Sequence, residues 1–157
     1  PRLQRPEIAA REAHTMMKIL VATDGSVNAN RVVEFLAKNA GWYKGPLEVH
    51  LLSVQLPLVG VNVKLFLSQE ALNDYYRAEG EAALAPAKTR LAAAGITVVP
   101  HIGVGDPAEV IVQYAESKGC DQIVMGTRGL GGVKGALLGS VASEVLHLTD
   151  RPVLLVK

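Results

Sequence analysis

The sequence predicts one α/β domain built on a five-stranded, all-parallel, doubly wound sheet of order 3-2-1-4-5, with helices on both faces. Three observations lead there. Short runs that are apolar almost throughout, such as Lys18-Ile-Leu-Val-Ala-Thr23 and Pro152-Val-Leu-Leu-Val156, alternate with longer stretches whose apolar residues recur every three or four positions. Strands without polar alternation are buried on both faces, the condition of a parallel sheet lying between helices. Turn and capping residues fall at the junctions, so the order reads β-α-β-α-β-α-β-α-β. Right-handed crossovers then favour double winding, and ligands bind beyond the C-terminal strand ends where the strand order reverses.

Lys18 to Thr23 is a buried strand stopped by the turn cluster Asp24-Gly25-Ser26. Ala29, Val32, Val33, Leu36, Ala37 and Ala40 keep the helical period and halt at Gly41, giving an amphipathic first helix. Gly45-Pro46 breaks the chain before a second strand, Leu47 to Val54. Gln55 to Leu67 is apolar without a period and is read as a loop covering a ligand. Ser68 caps a long helix through about Ala94, with a kink or break at Pro86 and a stop at Gly95. Ile96 to Ile102 is the third strand, and Pro100 within it predicts a sheet edge. Asp106-Pro107-Ala108-Glu109 combines an N-cap acid, proline in the first turn and Glu at N3, and starts the third helix, with Val110, Ile111, Tyr114 and Ala115 on its buried face. Gln122 to Met125 is the fourth strand, Ser140 to Leu148 the fourth helix, and Pro152 to Val156 the last strand.

Between the fourth strand and the fourth helix lies Gly126-Thr-Arg-Gly129-Leu-Gly-Gly-Val-Lys-Gly-Ala-Leu-Leu-Gly139-Ser140. Glycine permits positive φ and close approach of a ligand to the backbone, and N–H groups leading into a helix N-terminus favour an anion. The stretch reads as a phosphate cradle. Its spacing, Gly-x2-Gly-x9-Gly-Ser, is neither the P-loop pattern, since no Lys precedes Ser140, nor the dinucleotide Gly-x-Gly-x-x-Gly. With strands one and four adjacent at the switch point, Asp24 and this loop face one crevice. Ser140 serves as an N-cap compatible with a phosphate contact.

The 157 residues suffice for one domain that buries about two-thirds of its unfolded surface. Sixteen Lys and Arg against fifteen Asp and Glu leave no net field to recruit nucleic acid, and one Trp, four Tyr and two Phe offer little stacking surface. Cys120, the single cysteine, excludes an internal disulfide and any Cys-x-x-Cys site, which suits a reducing compartment. No apolar run approaches the roughly 18 residues that span a bilayer. The protein is therefore expected to be cytoplasmic, with no nucleic-acid or membrane partner. Met16-Met17-Lys18 resembles a natural start, so residues 1–15 are set aside as a tag-like or disordered extension and 16–157 taken as the domain.

In Val21-Ala-Thr-Asp-Gly-Ser26, the Asp-Pro-Ala-Glu helix start, and above all Gly126-x2-Gly129-x9-Gly139-Ser140 followed by a helix and a terminal Pro-Val-Leu-Leu-Val strand, the chain resembles the universal stress protein family in its ATP-binding class. The resemblance covers Lys18 to Lys157 and implies a Rossmann-like fold that binds ATP with Mg²⁺. It implies that Gly126, Gly129, Gly139 and Ser140 hold the phosphates and that Asp24 faces the ribose or the phosphate-bound Mg²⁺. It also implies that Val54 offers backbone polar groups to adenine and that Ala22, Thr23, Met125 and Val141 line the site. Read from the residues, Arg128 is added as a candidate phosphate contact. The family implies a homodimer as well, and the short apolar last strand at a sheet edge invites pairing with its own copy.

Other features carry less. Arg128 and Lys134 are read chiefly as solvated loop charges, His50 as a partly buried packing residue, and Cys120 as a small apolar one. His101-Ile-Gly-Val lacks the second His of the nucleotidyl transferase signature and follows the wrong strand. No nucleophile or general base stands paired near the loop, so the expected function is regulatory ATP binding without catalysis. The alternatives are a slow ATP hydrolase or transferase of related fold and a dimeric interaction module with structural nucleotide.

Overall fold

The computed structural model describes residues 16–129, 135 and 137–157. Its strands are β1 (Met17–Ala22), β2 (Leu47–Gln55), β3 (Thr97–Val104), β4 (Gln122–Gly126) and β5 (Val153–Val156), and its helices are α1 (Val27–Asn39), α2 (Val61–Phe66), α3 (Gln69–Ala93), α4 (Pro107–Ser117) and α5 (Ser140–Leu148). The sheet is parallel throughout, in the order β3-β2-β1-β4-β5. Pro100 sits on β3, an edge strand, as expected of a residue that cannot donate to a ladder.

The strands are apolar on both faces because both faces are covered. Ile19, Val21, Val49, Leu51 and Val124 point into one core with Val32 and Leu36 of α1 and Leu84 and Leu91 of α3. Leu20, Leu52, Ile123 and Met125 point into the other with Ile111 and Ala115 of α4 and Val145 of α5. Each fully buried Leu or Ile contributes roughly 1.5–3 kcal/mol. Capping fixes where helices begin: Ser26 Oγ accepts from Ala29 N–H at 3.1 Å, Ser68 Oγ from Ala71 N–H at 3.1 Å and Asp106 Oδ1 from Glu109 N–H at 3.1 Å. At Gly80, α3 comes so close to β3 that an added Cβ would lie 2.7 Å from Ile102.

Three expectations need correction. The helix at Pro86 does not break: α3 runs as one 25-residue element. Pro86 and Ala82, four residues before it, are exposed, so the carbonyl that loses its helical partner faces water. The 55–67 segment contains α2, six residues long and too short to display a period. Ser140 is the first residue of α5 and not its cap; Gly139 is the cap, with no side-chain bond at that end.

Candidate functional site

From β1 the chain crosses to β2 and β3 on one side and then returns past β1 to β4 and β5 on the other, so the gap above β1 and β4 is where the strand order reverses. Two strand ends meet there. Ala22, Thr23 and Asp24 leave β1, while Met125, Gly126 and Thr127 leave β4 and enter the glycine loop. Between them opens a cavity of about 400 Å³. The structure brings every residue the sequence named for this site to its wall: Ala22, Thr23, Asp24, Val54, Met125, Gly126, Arg128, Gly129, Gly139, Ser140 and Val141. Lys134, Gly131 and Gly132 lie outside the described residues.

The glycines act differently from the expectation. Among the described glycines of the loop only Gly135 has positive φ, at 92°. Gly126, Gly129 and Gly139 are needed because other groups come too near for a side chain. An added Cβ would stand 3.2 Å from the Arg128 carbonyl oxygen at Gly126, 3.0 Å from Asp24 Oδ2 at Gly129, and 3.3 Å from the Thr127 carbonyl oxygen at Gly139. The loop is closed at its base, where Gly139 N–H donates to the Thr127 carbonyl at 2.7 Å and Thr127 N–H donates to the Val156 carbonyl at 3.2 Å. Closure brings the first turn of α5 to the cavity wall beside Gly126 and Gly129. With glycine as its cap, that turn receives no capping bond from a cap side chain, and its dipole favours an anion.

The cavity has two chemical halves. Thr23, Asp24, Thr127, Arg128 and Ser140 supply the polar side chains, clustered with the glycines. Asp24 Oδ1 accepts from Ser26 N–H at 2.9 Å, which orients the carboxylate at the end of β1. The other half is apolar: Leu52, Val54 and Leu56 of β2 and its exit, Pro107 and Ile111 of α4, and Met125 and Ala142. Sequence reasoning missed Thr127 and, in the apolar half, Leu52, Leu56, Pro107, Ile111 and Ala142, along with Ala29 and Leu138. Only Pro107 carried a signal, as the helix-start proline at a strand end. From the segment expected to cover a ligand, Leu56 lines the cavity.

A second polar cluster lies outside this cavity. His50, expected to be partly buried packing, is 6 % exposed and bonded on both nitrogens. The neutral pair is satisfied in one arrangement: His50 Nε2–H donates to Glu48 Oε1 at 2.9 Å, and His101 Nε2–H donates to His50 Nδ1 at 2.9 Å. Burial, then His50 and Lys118, push the His101 imidazole below its ordinary value. Cys120 is fully buried, and burial raises its thiol above the usual range, as suits a packing residue.

The chain matches the model of the Universal stress protein family over residues 16–157. It is 33% identical over 141 residues to Universal stress protein MJ0531 of Methanocaldococcus jannaschii, covering 89% of this chain and 81% of that protein. The solved structure of protein MJ0577 from the same organism is 34% identical, with a TM-score of 0.77 over 90% of this chain and 95% of its own. A universal stress protein solved in complex with cAMP is 27% identical, with a TM-score of 0.61 over 90% of this chain and 96% of its own.

Proposed function

Since the chain belongs to the universal stress protein family, we propose that the switch-point cavity binds ATP with Mg²⁺ and that the protein works as a cytoplasmic regulator through binding. The observation that carries this reading is the division of one cavity into a glycine-walled, helix-capped polar end and an apolar end. Phosphates suit the first and a purine the second. In support, one relative of the same fold holds cAMP. The residues fit the nucleotide: Gly126, Gly129 and Gly139 line the cavity with no side chain between their backbone and a ligand, beside the first turn of α5. They fit the cation too, because Mg²⁺ takes one or two carboxylates together with phosphate oxygens, and Asp24 supplies one. Arg128 adds a positive charge at the phosphate end, and Val54 offers backbone groups to the base. Among the described lining residues Asp24 is the one carboxylate and no histidine is present; with Asp24 engaged on Mg²⁺, turnover is expected far below the order of 1 per second of ordinary enzymes.

The regulator is a homodimer through β5. Pro152 and Val156 carbonyls accept from Ile123 and Thr127 N–H, so alternate residues of β5 face β4 and the N–H and C=O groups of Val153 and Leu155 face the open edge. Titration calorimetry with ATP, with and without Mg²⁺, and with cAMP as competitor, tests the ligand. Heat with ATP that weakens without Mg²⁺ is the expected result; no heat, together with no nucleotide released from denatured purified protein, overturns it.

A further inference from the structure

Strand β5 has a single neighbour, β4, and the last rung between them is the bond from Thr127 N–H to the Val156 carbonyl at 3.2 Å. Thr127 is also the first residue of the glycine loop after β4, and its carbonyl accepts from Gly139 N–H at 2.7 Å. One residue thus has its N–H on the open edge strand and its C=O on the residue that caps α5. The second support of β5 leads to the same place: Val153 and Leu155 pack in the cluster that holds Val141, Ala142 and Val145 of α5. Both β4 and α5, then, are walls of the switch-point cavity, while Leu154 and Val156 on the opposite face of β5 pack on the core that holds α1.

We propose that nucleotide binding and self-association are thermodynamically coupled, with Thr127 joining the glycine loop to the edge strand through its two backbone bonds. The inference rests on the nucleotide and dimer readings above. A nucleotide gripping Gly126, Gly129 and Ser140 immobilises the chain beside Thr127 and beside its partner Gly139, and through the Thr127 N–H fixes the Val156 end of β5. Pairing β5 with its copy requires that same strand to be ordered, and a strand already ordered by the nucleotide loses less entropy on pairing. The coupling is reciprocal: the factor the dimer adds to ATP affinity, counted once for each of its two sites, is the factor ATP adds to dimer affinity.

Sedimentation equilibrium of the intact chain, with and without saturating Mg-ATP, measures the first half of the cycle. Calorimetry on the chain and on Leu155→Pro, which removes an outward N–H of β5, measures the second. With about fivefold coupling at each site, within the usual span of such couplings, the monomeric variant is expected to bind ATP about fivefold more weakly, and the dimer dissociation constant to fall by about the square of that factor, about 25-fold, when both sites are filled. Bound nucleotide with an unchanged dimer constant overturns the coupling alone. Absence of ATP heat overturns the nucleotide reading and the coupling with it, while an intact chain that is monomeric with and without nucleotide overturns the dimer and the coupling but leaves the nucleotide reading standing. In Thr127→Pro, which lacks the N–H of the last rung, the coupling factor is expected to approach one; a folded variant that keeps the full factor overturns this route.

Discussion

At Gly129 one hydrogen atom decides whether the cavity keeps its shape. An added Cβ stands 3.0 Å from Asp24 Oδ2, so Gly129→Ala must displace either the carboxylate or the loop. ATP affinity is expected to fall by about tenfold or more, that is about 1.4 kcal/mol or above, with the melting temperature nearly unchanged because Gly129 is not part of either core. Calorimetry beside thermal melts checks this, and unaltered affinity would show that phosphate does not approach Gly129. His101 poses a different question, since its neutral form is tied to His50 while Glu48, Tyr114 and Lys118 stand around the pair. Its folded value lies below the ordinary 6.5, so the unfolded chain takes up the proton first. The stability this neutral histidine contributes is complete above about pH 6.5 and is lost as pH falls through its lower folded value. Melting temperature is expected to drop between pH 7 and pH 5, on the order of the histidine range and above that of carboxylates, and to drop less in His101→Gln, whose amide can still donate to His50. Equal slopes in both proteins would place the titration elsewhere.

Helix α3 is set tightly against the sheet, and Gly80 is the reason. A Cβ there meets three atoms of Ile102 at 2.7 Å, and Ile102 is β-branched with little rotamer freedom to yield. Gly80→Ala gains about 1 kcal/mol of helix propensity but incurs roughly 1–3 kcal/mol of overpacking. The expected net effect is a melting temperature lower by a few degrees, at about 2–4 °C per kcal/mol for a chain of this size. Gly41→Ala is the matched control, since nothing lies within 4 Å of its added Cβ and its φ is not positive; it is expected to stabilise by roughly 0.4–1 kcal/mol. The elements that the sequence predicted well, such as the helices begun by Ser68 and Asp106, are those whose ends are fixed by local bonds to Ala71 and Glu109. Those it missed depend on what lies beyond the element. Pro86 is tolerated because its side of α3 faces water, and α2 is a single short turn of helix. In the cavity, Asp24 and the glycines were legible because few other roles need those residues at strand ends. Leu52, Ile111 and Ala142 were not, because an apolar residue at core spacing looks the same whether it meets a neighbour or a ligand.

For the whole molecule the decisive asymmetry is between its two sheet edges. On β3 the residues facing outward are the even-numbered ones, since Gly105 N–H donates inward to the Gln55 carbonyl. Pro100 therefore leaves a gap in the outward donors, and the Ile102 carbonyl is already taken by Tyr114 Oη–H at 3.3 Å. That edge is blocked. On β5 the outward groups of Val153 and Leu155 belong to a half-buried apolar strand, with Pro152 turned inward and no proline among the residues that face out. A two-fold axis through this strand would pair it antiparallel with its copy, satisfying the same groups on both chains and joining two five-stranded sheets into one. Leu155→Pro deletes one outward N–H while leaving the bonds to β4 in place, so the variant is expected to fold and to run as a monomer where the intact chain runs as a dimer. Light scattering coupled to size exclusion at micromolar concentration reads both masses, with circular dichroism to establish that the variant is folded. A folded Leu155→Pro that remains dimeric would move the interface away from β5.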